Sequence, residues 1–246
     1  MTYCVGIRLE NGLVMLSDTR TNAGVDNIAT FCKMHIVEKP GERVICLMSA
    51  GNLAAAQAVV NLVSEGFDSV ANGRHDTLAT VPSLFAAAEL VGEAVRKVFV
   101  LHGDAMKAQS IEFDVSFLLA GQIAGRTLRL FHVYAAGNFI EATPDTPYMQ
   151  IGEHKYGKPI LDRAAGFGIE PEDAVKLLLV SMDSTLRSNL TVGMPIDLMV
   201  YRRDALRIAA RHRITDDDPY FRRLREQWGA ALKDAYRKIE RPDWIA

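Results

Sequence analysis

Residues 3–9 and 13–17 are apolar, β-rich runs separated by Glu10-Asn11-Gly12. Asn-Gly favours the positive φ angles of a tight hairpin, so two antiparallel strands are expected. A second hairpin is expected from residues 35–38 and 43–49 around the turn Lys39-Pro40-Gly41-Glu42. At residues 52–65 the spacing turns helical, with Leu53, Ala56, Val60 and Val63 on one stripe and Gly66 as the stop. Pro82 at a first-turn position predicts a helix to about Leu101, closed by His102-Gly103. Strands are expected again at 113–120 and 127–135. Gly157-Lys158-Pro159 leads into a short helix. Pro171-Glu172-Asp173 opens a longer one, with Val175, Leu178, Leu179 and Met182 as its apolar stripe. Residues 196–201 read as a late strand. Asp216-Asp217-Asp218-Pro219 is an N-cap cluster with Pro at N1, opening a charged helix from Tyr220 to about Ile239.

Strands, two helices, strands, two helices and a strand follow one another with no linker, repeat or break in composition. That order predicts helices outside two stacked antiparallel sheets, an α+β fold. We expect a single domain over 1–246, including a helical C-terminal extension at about 216–246. The 246 residues are ample for a sizeable core, and 49% hydrophobic with 24% charged residues fit a soluble globular protein. The net charge of −2 gives no broad attraction for nucleic acid or an anionic membrane, and neither partner is expected. No apolar run reaches the ~20 residues that span a bilayer, and the first residues lack the basic-then-apolar pattern of a secretory signal. Cys4, Cys32 and Cys46 are widely spaced, which predicts reduced thiols in a cytoplasmic protein.

Several chemistries are missing. There is no G-x-x-x-x-G-K-[ST], G-x-G-x-x-G, G-x-S-x-G or H-E-x-x-H. The six histidines form no i, i+4 pair beside a carboxylate, so no metal and no cofactor are expected. What remains is the opening stretch. Thr2 precedes the first strand, Asp18 ends the second, and Lys33 opens a strand after a polar loop. The topology brings all three to one sheet edge. Spacing alone leaves two readings open: a reactive cluster, or a solvated Asp–Lys pair beside a structural threonine.

The motifs in order resemble the proteasome β-subunit family of N-terminal threonine hydrolases. They are Thr2 before a strand, "DTRTNAG" from Asp18 to Gly24, "FCKMHIVE" with Lys33, and "MSAGNLAAA" with Gly51. The start "TYCVGIRLENGLVMLSDTRTNAG", the segment "GEHKYGKP" and the added terminal helix look most like the bacterial ancestral β-subunit group, Anbu. The resemblance implies a four-layer αββα sandwich of the Ntn-hydrolase type. It also implies a peptide or amide substrate, a homo-oligomer built as a ring or a spiral, and room for an unidentified unfoldase.

A threonine hydroxyl needs a nearby base to act as a nucleophile. Removal of Met1 gives Thr2 a free α-amine with an unperturbed pKa of ~7.7–8.0, close to the working pH. Lys33 beside that amine lowers its pKa, and Asp18 orients Lys33 and offsets its charge. Gly51, at a turn before a helix, is the expected oxyanion donor. By resemblance Asn22 and Leu53 flank a cleft where a peptide adds as a strand, and Ser49 and Leu53 line the first specificity pocket. Arg20 is an expected supporting residue.

Two departures from the family pattern stand out. A serine near the threonine is replaced in Ile151-Gly152-Glu153 by Glu153, which either raises the amine pKa or pairs with Lys155 or Lys158. A further Asp/Ser pair maps onto Ser188 and Thr191, so its aspartate is missing. The expected activity is therefore a threonine peptidase, with a low-turnover assembly scaffold or a narrow amidase as alternatives.

Overall fold

A computed structural model describes residues 1–22, 28–69, 73 and 75–245. The chain begins with the hairpin β1 (Tyr3–Arg8) and β2 (Gly12–Asp18), then the short pair β3 (Arg20–Asn22) and β4 (Ile28–Thr30). A second hairpin, β5 (Met34–Lys39) and β6 (Arg43–Gly51), leads into α1 (Leu53–Glu65), the pair β7 (Phe67–Asp68) and β8 (His75–Asp76), and α2 (Leu84–Ala108). Four strands follow: β9 (Val115–Ile123), β10 (Arg129–Val133), β11 (Phe139–Glu141) and β12 (Tyr148–Gly152). Helices α3 (Lys158–Ala164) and α4 (Pro171–Ser188), strands β13 (Ile196–Arg202) and β14 (Ile208–Ile214), and α5 (Pro219–Lys238) complete the chain.

The main strands form two five-stranded sheets, ordered β12-β1-β2-β13-β14 and β11-β10-β9-β6-β5, with antiparallel pairing throughout. Successive side chains of a strand point to opposite faces, and the buried runs divide accordingly. On β1 and β2, Tyr3, Val5, Ile7, Val14 and Leu16 pack with Leu178, Leu179 and Met182 of α4. Their alternates Cys4, Leu13 and Met15 meet Cys46, Met48, Leu118 and Ala120 of the other sheet. On β6 and β9, Ile45, Leu47, Phe117 and Leu119 face Val59, Val63, Val91 and Val95 of α1 and α2. Both faces of these strands are covered, so they read as continuous apolar runs, not as alternation.

Three local expectations are corrected. Neither Asn11 nor Gly12 has a positive φ; a Cβ at residue 12 would lie 2.3 Å from the Tyr201 carbonyl oxygen, so the glycine answers to strand β13, not to the turn. Pro82 precedes the helix rather than opening it: Ser83 is the N-cap, its Oγ accepting the Ala86 N–H at 3.1 Å. Gly103 does not end α2, which continues to Ala108 with the Phe99 ring over that glycine. The Gly66 stop of α1 and the N-cap cluster of α5 are as expected, and Asn52 adds an N-cap to α1. Asn52 Oδ1 accepts the Ala55 N–H at 3.1 Å, and Asp218 Oδ1 accepts the Phe221 N–H at 2.8 Å.

α5 is anchored by its first half. Phe221 and Leu224 are its buried residues, and the Arg225 Nε donates at 2.6 Å to the buried Asp183 of α4. Tyr236, Ile239 and Trp244 further along are exposed. Removing Arg225 leaves Asp183 with the weaker Arg187 contact at 3.2 Å. Hydrogen bonds to charged groups are worth about 1.5–3 kcal/mol before solvent screening. Arg225→Ala should therefore raise amide exchange over 219–238 roughly tenfold, with β1 and β2 unchanged. Native protection in the variant would show that α5 is held by apolar contacts alone.

Candidate active site

The site lies where the two sheets meet at the start of the chain, not at the edge of a single sheet as expected: Asp18 ends the central strand of one sheet and Lys33 precedes an edge strand of the other. Thr2 precedes β1 and is buried, and Asp18 closes β2 at 0% exposure. Lys33 sits just before β5, tied into the other sheet by the Ser49 N–H, which donates to its carbonyl at 3.1 Å. The Lys33 Nζ reaches across to Asp18 Oδ1 at 2.6 Å and also donates to the Arg20 carbonyl at 2.6 Å. The same Asp18 Oδ1 accepts the Tyr3 N–H at 3.0 Å, and Oδ2 accepts the Gly193 N–H at 3.3 Å. Asp18 therefore holds both the cation and the backbone immediately after Thr2.

Thr2 is fixed from its other side by β12. Its carbonyl accepts the Glu153 N–H at 2.6 Å. Gly152, at φ 82°, lies so close that a Cβ there would stand 2.1 Å from that oxygen. Only glycine fits, on both counts.

Met1, Thr2, Lys33 and Gly152 line part of a cleft of about 190 Å³. Asn22, Ser49, Gly51 and Leu53, all expected there, line the rest, together with Thr21, Ala50, Ala56 and Asp114. Gly51 has φ 103° and packs on the backbone of Asp114, whose carbonyl accepts the Asn52 N–H at 2.6 Å. Arg20 contributes through its backbone and by clamping the 189–193 segment: its Nη1 donates to the Leu190 carbonyl at 2.9 Å, and its guanidinium covers Gly193. Ala23 and Gly24 of the "DTRTNAG" motif lie outside the described residues.

Glu153 does not line the cleft. Its buried carboxylate accepts the Lys155 backbone N–H at 2.7 Å and the Asn189 Nδ2 at 2.6 Å. The expected pairing with a lysine ammonium is not formed; Lys158 instead bonds Asp162 and Tyr148. Thr191 reaches Glu153 only through Asn189, and Ser188 is exposed at the end of α4, outside the cleft lining. Sequence reasoning missed Asp114, Asn189 and Gly193. The last two stand in the segment "RSNLTVG", and neither position has a composition or spacing that marks it. Among the described residues no three His, Cys, Asp or Glu side chains are placed to hold a metal ion.

The electrostatics follow from burial. Burial pushes the Asp18 carboxyl above its ordinary value, against the pull of the Lys33 ammonium and the N–H groups of Tyr3 and Gly193. The terminal ammonium on Met1 is held below its ordinary value, first by burial and then by Lys33, with Asp18 and Glu153 pulling the other way. The lowered value leaves a larger fraction of the Met1 amine unprotonated at neutral pH than it would have in water.

No protein-family model and no curated protein matches the chain. Solved structures do. Anbu, the ancestral β-subunit, from Yersinia bercovieri is 46% identical, over 98% of this chain and 99% of its own, with a TM-score of 0.90. Anbu from Hyphomicrobium sp. strain MC1 is 53% identical over 98% of this chain and 99% of its own, with a TM-score of 0.86. The chain belongs to the Anbu family. The Anbu complex of Pseudomonas aeruginosa, described as a helical assembly, is 46% identical over 98% of each chain, with a TM-score of 0.91. Anbu proteins are proteasome β-subunit-like, so the resemblance drawn from the motifs extends over the whole chain.

Removing one partner of a buried pair strands the other charge, typically at about 3–5 kcal/mol. Asp18→Ala should lose stability of that order in urea unfolding. Asp18→Ala combined with Lys33→Met should lose clearly less than the two single changes together. Strict additivity would mean that the two side chains do not support one another.

Proposed function

We propose that this chain is the subunit of a threonine peptidase or amidase, one domain built as a four-layer αββα sandwich of the Ntn-hydrolase type with α5 as an extension. The observation that carries this reading is the buried Asp18–Lys33 pair beside Thr2 in the lining of a cleft. Removal of Met1 exposes the Thr2 amine. The Thr2 Oγ attacks the carbonyl carbon of a substrate amide while its proton passes to the α-amine. The oxyanion is met by the Gly51 N–H, and the protonated amine returns the proton to the leaving nitrogen as the C–N bond breaks. Water then hydrolyses the ester on Thr2, with the same amine as base. Lys33 stabilises the free amine by its charge, and Asp18 keeps Lys33 in place. Asn22, Ser49 and Leu53 contact the bound substrate, which extends along the cleft as an added strand.

The helical assembly of the Pseudomonas aeruginosa relative supports a homo-oligomer here, and the exposed Tyr236, Ile239 and Trp244 of the terminal extension offer apolar surface for it. A cytoplasmic setting and an unfoldase partner accord with an enclosed peptidase. No helix among the described residues is long and apolar enough to cross a membrane.

The protein purified from cells should have the intact mass of the chain without Met1, and a threonine-directed electrophile should add once per subunit. Thr2→Ala and Lys33→Ala should each lose that label while keeping the native circular dichroism. Labelling undiminished in Thr2→Ala would move the nucleophile elsewhere. Light scattering at micromolar concentration should give several times the subunit mass, and a monomer alone would refute the assembly.

A further inference from the structure

The segment 189–193 meets the site from behind. Its Gly193 N–H serves Asp18, and its Asn189 serves Glu153. Asn189 Oδ1 accepts two bonds from Thr191, from the backbone N–H at 2.9 Å and from Oγ1 at 2.6 Å. A backbone N–H can only donate, so the amide oxygen must face Thr191 and the NH2 must face Glu153. The amide therefore offers Glu153 a donor and no acceptor. The Lys155 N–H does the same for the other carboxylate oxygen. Both oxygens are thus held while the Glu153 backbone N–H sits 2.6 Å from the Thr2 carbonyl, within side-chain reach of the chain start.

We propose that Asn189, oriented by Thr191, is a positioning residue that keeps the Glu153 carboxylate off the α-amine at the start of the chain. The charged groups that bear on this amine are Lys33 before β5, Asp18 at the end of β2 and Glu153 after β12. Lys33 is already committed to Asp18 and the Arg20 carbonyl, so Glu153 is the one carboxylate whose placement Asn189 governs. A carboxylate released onto the amine stabilises the ammonium and removes base. Glu153 in place of a serine is then tolerated because Asn189 occupies it. The inference rests on the terminal-threonine reading only for its consequence in catalysis.

The test is a titration of the amine itself. Protein carrying 13C-labelled Thr and Met is followed by the Cα and Cβ shifts of its first residue against pH. In Asn189→Ala the midpoint should move alkaline by roughly half a unit or more, and the rising limb of the pH–rate profile should move with it. Asn189→Asp keeps an acceptor for the Thr191 N–H and turns a carboxylate oxygen toward Glu153, so it should shift the same way without loss of fold. Adding Glu153→Gln to Asn189→Ala should abolish the shift, measured against Glu153→Gln alone. Unchanged midpoints in both variants, or a shift that survives Glu153→Gln, would overturn the proposal. A purely structural role would lower turnover at every pH and leave the midpoint in place. Intact mass separates this outcome from the fate of the larger reading: if Met1 is retained, the terminal threonine fails, and the titration of the Met1 amine still decides on Asn189.

Discussion

The Asp18–Lys33 pair joins the two sheets at the point where the chain starts. Burying two charges is expensive, and mutual attraction alone seldom offsets the lost hydration. Here the remaining bonding capacity is filled by the Tyr3 and Gly193 N–H groups and by the Arg20 carbonyl. Those partners are all backbone, so the pair is stable only while β1, the β2–β3 corner and the 189–193 segment stand in register. The reverse also holds: with Asp18 in place, the residue after Thr2 has little freedom. Stability and reactivity converge on one carboxylate.

The covered strands and the helices α1 and α5 were legible in the chain because their signals are local. β1, β2 and β6 are bounded by turns and carry apolar residues on both faces, α1 has its Gly66 stop and α5 its Asp218 cap. β14 was not legible. Five of its seven residues are exposed and polar or small, and it exists through backbone pairing to β13, with Arg213 bonded to Asp197. β11 and β12 are short, and their pairing with β10 and β1 gives them structure that their composition does not announce.

The site divides in the same way. Thr2, Asp18, Lys33 and Gly51 stand at strand ends and at a strand–helix turn, places that spacing and motif can find. Gly193 touches Asp18 from 175 residues away, and Asn189 reaches Glu153 across 36. The family pattern pointed to their neighbours Ser188 and Thr191, not to these two residues, whose partners are distant in the chain. The positions missed are those whose role is assigned by topology alone.

The grip on the Thr2 carbonyl has a further consequence. Gly152 and Glu153 hold Thr2 through its C-terminal side, and Asp18 holds the next N–H. None of these contacts involves what precedes the threonine. A subunit carrying an affinity tag ahead of Thr2 would then fold and take its place among native copies with its nitrogen permanently acylated. Such a subunit would be a silent member of a mixed particle.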